Sequence, residues 1–189
     1  MRLNLKICTP AVAAFLLIAG IYVTCGSVWA QSADIDSLFE ELKSPDEENR
    51  SDAEAEIVRA WEKSGSDSMD LLLERGKQAA SAGDLSKAIE HLTALTDHAP
   101  DFAEGWNARA TVFFQMQEYG LAIHDIQKVL ALEPRHFGAL AGLGLIYQQL
   151  EQQKDALRAY RAALAVLPYS PELLEAVKRL EDATKGTLL

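Results

Sequence analysis

Residues 137–170 read FGALAGLGLIYQQLEQQKDALRAYRAALAVLPYS, and the two segments before them, 103–136 and 69–102, follow the same plan. Pro100, Pro134 and Pro168 are spaced by 34, and so are Ala88, Ala122 and Ala156. Two coincident series at one fixed period mark a repeat architecture. A third column, Gly76, Ala110 and Gly144, is also small and faces the alanines. The plan implies one helical hairpin per segment. Its two helices approach closely where both are small, and the proline ends the second helix because it lacks an N–H and clashes with the preceding turn. Apolar residues recur between these columns at helical spacing: Leu72, Trp106 and Leu140; Ala79, Phe113 and Tyr147; Leu92, Ile126 and Tyr160; Leu95, Val129 and Ala163. These are core positions rather than a cofactor box.

Placed side by side, these residues resemble the tetratricopeptide repeat (TPR). Its pattern asks for a bulky residue, a small one, an aromatic, alanine, a further aromatic or aliphatic, alanine and proline. The segment 137–170 agrees throughout, through Leu140, Leu143, Gly144, Tyr147, Ala156, Tyr160, Ala163 and Pro168. Segment 103–136 departs at Arg109, where a leucine is usual. Segment 69–102 departs at Arg75 and Ala79 but keeps Gly83 in the turn between its helices. The resemblance implies an all-α, right-handed superhelical stack of three TPR units, with the first helix of each hairpin turned inward to form a groove.

Elements that are apolar on one face only are expected at both ends of such a stack. Downstream, 171–189 reads as a capping helix and tail: Ser170 as N-cap, Pro171 in the first turn, and Leu173, Leu174, Val177 and Leu180 as its stripe. Upstream, 31–68 reads as an acidic helical hairpin. Ile35, Leu38, Phe39 and Leu42 form one stripe, and Ile57, Ala60 and Trp61 lie on a second helix after Ser44-Pro45-Asp46. Glu54 and Ser66 stand where a true unit would carry Ala and Pro, and Ser64–Ser68 is the hinge. Ten acids against Lys43 and Arg50 between Asp34 and Glu56 give this hairpin a solvated acidic face.

The first thirty residues form a leader. Arg2 and Lys6 precede an apolar run from Ala11 to Cys25, and no charge follows until Asp34. This is a signal-peptide pattern with Val28-Trp29-Ala30 as the expected cleavage site. The alternatives are an uncleaved anchor, since Ile7 to Ala30 is long enough to span a bilayer, and lipidation at Cys25, for which Val23-Thr24 is a poor context. Both cysteines, Cys8 and Cys25, fall in the leader, so the mature chain has no disulfide. An exported domain without disulfides points to a bacterial periplasm, although the Asn49-Arg50-Ser51 sequon leaves a eukaryotic secretory route open. The full chain carries 18 Lys+Arg against 28 Asp+Glu, a net −10. Loss of Arg2 and Lys6 with the leader lowers this to −12, a surface that repels nucleic acid and anionic lipid.

No nucleophile stands beside a base, and no carboxylate pair is aimed at one atom, so a non-enzymatic role is expected. No cofactor and no metal is expected; His91 and His98, seven apart with Asp97 adjacent, are the nearest thing to a metal pair. Gly138, Gly142 and Gly144 lack the spacing of a phosphate loop. The resemblance instead implies a groove for a protein or peptide, here of the cell envelope. Its columns are Asp70, Glu104 and Gly138; Leu73, Asn107 and Ala141; Lys77, Thr111 and Leu145; Ala80, Phe114 and Gln148. TPRs that grip a C-terminal carboxylate use Lys and Asn at positions held here by Leu73, Lys77, Ala108, Gly138 and Gly142. Only Lys77 survives, which argues for a ligand read by apolar contact with Phe114 and Leu145 and by hydrogen bonds from Asn107. The rival readings are a self-associating structural protein, sensitive at Leu174 and Val177, and an accessory subunit of an envelope enzyme.

Overall fold

The computed structural model describes residues 35–186. The leader with its cleavage site and the last three residues lie outside the described residues. Nine helices occur among the described residues: α1 (35–41), α2 (Glu47–Trp61), α3 (Asp67–Ser81), α4 (Leu85–His98), α5 (Ala103–Gln115), α6 (Tyr119–Leu132), α7 (Phe137–Gln149), α8 (Gln153–Val166) and α9 (Pro171–Gly186). None of them is long and apolar enough to cross a membrane. The pairs α3–α4, α5–α6 and α7–α8 are the hairpins of the three units.

Each hairpin turns in the same way. Gly83, Gln117 and Glu151, spaced by 34, all have left-handed backbone, with φ of +80°, +62° and +58°. The residue after each donates its N–H back five positions, from Asp84 to Ala79, Glu118 to Phe113 and Gln152 to Tyr147, at 2.8–2.9 Å. This is a Schellman closure, which satisfies carbonyls that the first helix leaves open. The second helices stop two residues before Pro100, Pro134 and Pro168, where Ala99, Glu133 and Leu167 have left the helical region, as the residue before proline tends to do.

The small columns set the distance between helices. A Cβ added at Gly76 would lie 2.5 Å from Leu92, and one added at Gly144 would lie 2.7 Å from the ring of Tyr160. Both separations are closer than carbon atoms tolerate, so the first helix can sit where it does only without a side chain. Ala88, Ala122 and Ala156 are fully buried opposite, and Ala110 is buried in unit two. Trp106 and Tyr147 pack on the cores as partly buried residues. Cores run continuously from unit to unit, Ala108 and Val112 of α5 joining the core of unit one.

The two ends are closed differently from the expectation. At the C-terminal end Leu173, Ala176 and Leu180 are buried against α8, with Val177 packed beside them, while Leu174 is 47% exposed. One residue is a rotation of about 100°, enough to carry Leu174 off a stripe centred on 173, 176, 177 and 180. At the other end unit one closes its own face. The positions that carry Ala108 and Val112 in unit two, and Gly142 and Ile146 in unit three, carry Glu74 and Gln78 in unit one; both are exposed and joined by a 2.9 Å hydrogen bond.

The hairpin α1–α2 therefore has no end to cover, and its apolar face goes elsewhere. Phe39, Leu42, Ala53 and Ile57 form a separate cluster with Phe137, flanked by Trp61, Val166 and Leu167. The core of unit one contains none of them. From Trp61 the chain passes through Gly65, with φ +81°, into α3, so the hairpin lies along the rim where α7 begins and α8 ends.

Candidate partner-binding site

The first helices α3, α5 and α7 place the expected groove columns on one side of the stack, and the side chains there divide into two groups. The polar residues of the first group are already committed. Lys77 lies 2.8 Å from both Glu104 and Glu62. Burial alone would lower the Lys77 ammonium, but these two carboxylates outweigh it and hold the group above its ordinary value. Asn107 donates to Glu104 at 2.9 Å, and His136 Nε2 lies 3.3 Å from the same oxygen. Burial would raise the Glu104 carboxyl, yet His136 and Lys77 hold it below the usual carboxylate range. Gln148 accepts from the buried Tyr160 hydroxyl, and burial pushes that phenol up.

Asn107, expected to offer hydrogen bonds to a ligand, gives one amide N–H to Glu104, and Lys77 is paired with Glu104 and Glu62. Leu73 is 3% exposed, belongs to the core of unit one and reaches the surface only in the wall of the cleft beside Lys77. The second group faces outward. Thr111 is exposed, its hydroxyl bonded only to the carbonyl of Asn107 one turn back. Leu145 is 45% exposed. Ala141 and Phe114 are half-buried, the latter 5.8 Å from the ring of Tyr119. The open surface is therefore a short, mainly apolar lane on units two and three.

Beside it, next to unit one, lies a cleft of about 920 Å3 lined by Glu62, Asp67, Asp70, Leu71, Glu74 and Lys77. Asp70 is fixed there by the Ser64 N–H at 2.8 Å and the Ser64 hydroxyl at 2.7 Å, which keep its carboxyl low. Across the rim, Trp61 stacks on His136 with ring centroids 4.1 Å apart and planes 10° apart. Arg135 binds Asp36 at 2.7 Å and covers the ring of Phe39, and Arg50 lies over Tyr169. Trp61, Arg135, His136 and Phe137 were not legible as site residues. They sit at the hairpin and at a repeat boundary, where the period carries no information about a partner outside it.

Behind the lane, Arg109 makes a two-pronged ion pair with Asp125, Nε to Oδ2 at 2.7 Å and the guanidinium to Oδ1 at 2.9 Å, and donates to Thr96 at 2.8 Å. Trp106 and Phe113 cover the guanidinium. Arg109 is therefore a packing residue. His91 and His98 are seven apart on α4, and among the described residues no cluster of metal-ligating side chains occurs.

Comparison with known proteins agrees with this geometry. The family model described as tetratricopeptide repeat matches residues 137–166. The TPR repeat-containing protein RHE_CH03534.1 of Rhizobium etli is 33% identical over 153 residues, covering 80% of this chain and 75% of that protein. The chain belongs to the tetratricopeptide-repeat proteins. A second relative, the BBSome complex member BBS4 homolog of Drosophila melanogaster, is 32% identical over 49% of this chain but only 19% of its own length. Among solved structures, the first TPR of Spaghetti (RPAP3) bound to an HSP90 peptide superposes with a TM-score of 0.60 at 22% identity, covering 64% of this chain and 95% of that one. MamA gives 0.59 at 21% identity over 87% of each chain. These likenesses establish the TPR solenoid as the fold.

Proposed function

We propose that this TPR protein is a non-enzymatic adaptor of the bacterial periplasm that holds a protein or peptide of the cell envelope on its first-helix surface. The observation that carries the reading is the division of that surface. Its polar side chains are paired with one another around Glu104, while Phe114, Ala141 and Leu145, with Thr111 beside them, remain open as a mainly apolar lane. Polar groups already paired gain little from a ligand, whereas exposed apolar side chains gain by burial, so the lane is where most binding energy is available. The engagement of Lys77 by two carboxylates supports a ligand other than a C-terminal carboxylate. Export is supported by the leader and by the confinement of both cysteines to it.

The test is crosslinking in cells followed by affinity capture, comparing wild type with Leu145→Glu and Thr111→Arg. Both positions are exposed, so the fold is kept, as circular dichroism checks. Loss of one specific captured protein is expected from both variants, and an identical catch from all three chains overturns the lane as the working surface. Intact mass of the cell-derived protein, expected to begin at Gln31, tests export.

A further inference from the structure

Arg109 shows what surrounds an arginine at its place in a unit, and Arg75, 34 residues earlier, stands at the same place without those surroundings. Asp125, which accepts two hydrogen bonds from the Arg109 guanidinium, is replaced in unit one by His91. Trp106 and Phe113, whose rings cover that guanidinium, are replaced by Leu72 and Ala79. Thr96, which reaches Arg109 from the preceding hairpin, corresponds to Glu62, which is turned to Lys77 instead. Where the ring of a Phe113 would lie there is a recess of about 430 Å3, lined by Arg75, Ala79, Lys87 and His91 among others. Arg75 and Lys87 are exposed, and neither side chain has an ion-pair partner among the described residues. The carboxylates of this face are engaged elsewhere: Asp84 caps α4 by accepting the Lys87 N–H at 3.1 Å, and Glu74 accepts from Gln78 at 2.9 Å.

We propose that this recess docks an acidic segment of another protein, one carboxylate of which takes on Arg75 the place that Asp125 takes on Arg109, with Lys87 receiving the next. The site is on the open face of unit one, apart from the lane on units two and three, and does not depend on that lane. The chemistry of the occupant is read from unit two. There the same backbone presents the same guanidinium to a carboxylate, at 2.7 and 2.9 Å, in the fork-to-fork geometry that arginine matches and a point charge does not. The Arg109 pair is buried and structural, whereas Arg75 is exposed, so its carboxylate can come and go. A single exposed ion pair contributes little, which is why the occupant is an acidic run rather than one residue. His91 adds a ring nitrogen that can donate to the same segment. In a chain of net −10, a recess of unpaired cations also selects where an acidic segment lands, because most of the surface repels it.

The experiment follows backbone amides and arginine Nε–Hε resonances of the 15N-labelled full chain during titration with an N-acetylated, C-amidated tetraglutamate peptide. The tetraglutamine peptide and inorganic phosphate, at matched ionic strength, are the controls. Tetraglutamate should move the Arg75 Nε–Hε and the amides around Arg75, Lys87 and His91 to saturation, and neither control should. Arg75→Leu, which gives unit one the filling that Leu143 gives unit three, should abolish the response while the Arg109 resonance stays in place, showing that the fold is kept. His91→Asp supplies unit two's carboxylate within the molecule. It should abolish the response too, and should shift the Arg75 Nε–Hε towards that of Arg109 before any peptide is added. The lane variant Leu145→Glu should respond as wild type does. No saturable response in wild type, an equal response to tetraglutamine or phosphate, or a response that survives Arg75→Leu or His91→Asp overturns the proposal. So does a mass that rises with concentration in wild type but not in Arg75→Leu, which would give the recess to the acidic hairpin of a second copy.

Discussion

In unit two the side chain that α5 turns towards α4 and α6 is Arg109, paired with Asp125, whereas the same places in unit three hold Leu143 and Ala159. The helices run alike in both, with the same turn, the same proline and the same small columns. The backbone plan is thus indifferent to whether this site is ionic or apolar; what it demands is that the site be filled and satisfied. Asp125 is 1% exposed, so the two fillings differ sharply in how they fail. Removing one partner of a buried pair strands the other charge, which costs about 3–5 kcal/mol, while replacing both with packed apolar groups is commonly neutral or favourable. Asp125→Ala should therefore lose about that much stability in urea unfolding, the largest effect foreseen here. The double variant Arg109→Leu/Asp125→Ala, which writes unit three into unit two, should fall within about 1 kcal/mol of wild type or above it. Thr96 stays satisfied in the double variant because its hydroxyl also bonds the Thr93 carbonyl at 3.1 Å. Equal losses in the two variants would mean that the units are not interchangeable at this site.

The small column sharpens the same comparison between units one and three. Gly76 faces Leu92, a branched chain on flexible torsions, whereas Gly144 faces Tyr160, a rigid ring tethered through its hydroxyl to Gln148. An added methyl can be accommodated by the first more readily than by the second. Gly144→Ala should cost about 2–3 kcal/mol and Gly76→Ala about 1 kcal/mol, within the usual range for overpacking. Thermal unfolding of the two variants reads the order; a larger loss at Gly76 would place the rigidity in unit one.

At the rim, next to an apolar seat, the carboxylate of Glu104 is held by cationic and hydrogen-bonding neighbours. Because His136 and Lys77 hold the Glu104 carboxyl below its ordinary value, its contribution is fully present above the ordinary carboxylate range, near about pH 4.3, and is lost as pH falls through the lower folded value. Glu104→Gln should thus be less stable than wild type at neutral pH, with the gap closing as the pH drops below about 4. Chemical unfolding of the two chains across that interval tests it, and a gap independent of pH would remove the charge from the account.

How much of this was legible follows from what a period can encode. The prolines, alanines and glycines that recur at 34 report the hairpins directly, because each is there for its effect on the local backbone or on one close approach. Arg109 was legible as a departure but not as half of a pair, since Asp125 lies on the other helix and only the folded register brings them together. The seat of the hairpin was not legible. Its partner residues Phe137, Val166 and Leu167 lie two units away from the hinge, and nothing in the apolar stripe of Phe39 and Leu42 says which of several apolar surfaces it will meet. The polarised face of unit one was the available signal: Glu74 and Gln78 stand where its sister units are apolar, which already implies that no hairpin stacks there.

The smallest effect concerns the turns, where the three units differ in a single residue type. Unit one meets the left-handed position with Gly83, which adopts it freely, whereas Gln117 and Glu151 adopt it with a Cβ close to the following carbonyl, a cost of roughly 1 kcal/mol each. Each remains because the Schellman bonds on either side fix the turn regardless. Gln117→Gly and Glu151→Gly should then raise stability by no more than about 0.5 kcal/mol, since the relieved strain is partly offset by the extra freedom glycine gives the unfolded chain. Gly83→Ala should lower it by about 1 kcal/mol, the open space around Gly83 leaving backbone conformation as the sole penalty. Urea midpoints measured at constant slope resolve differences of this size between single variants. If Gly83→Ala proved neutral, the left-handed turn would owe its geometry wholly to the helices it joins, and unit one would match its sisters in needing no glycine.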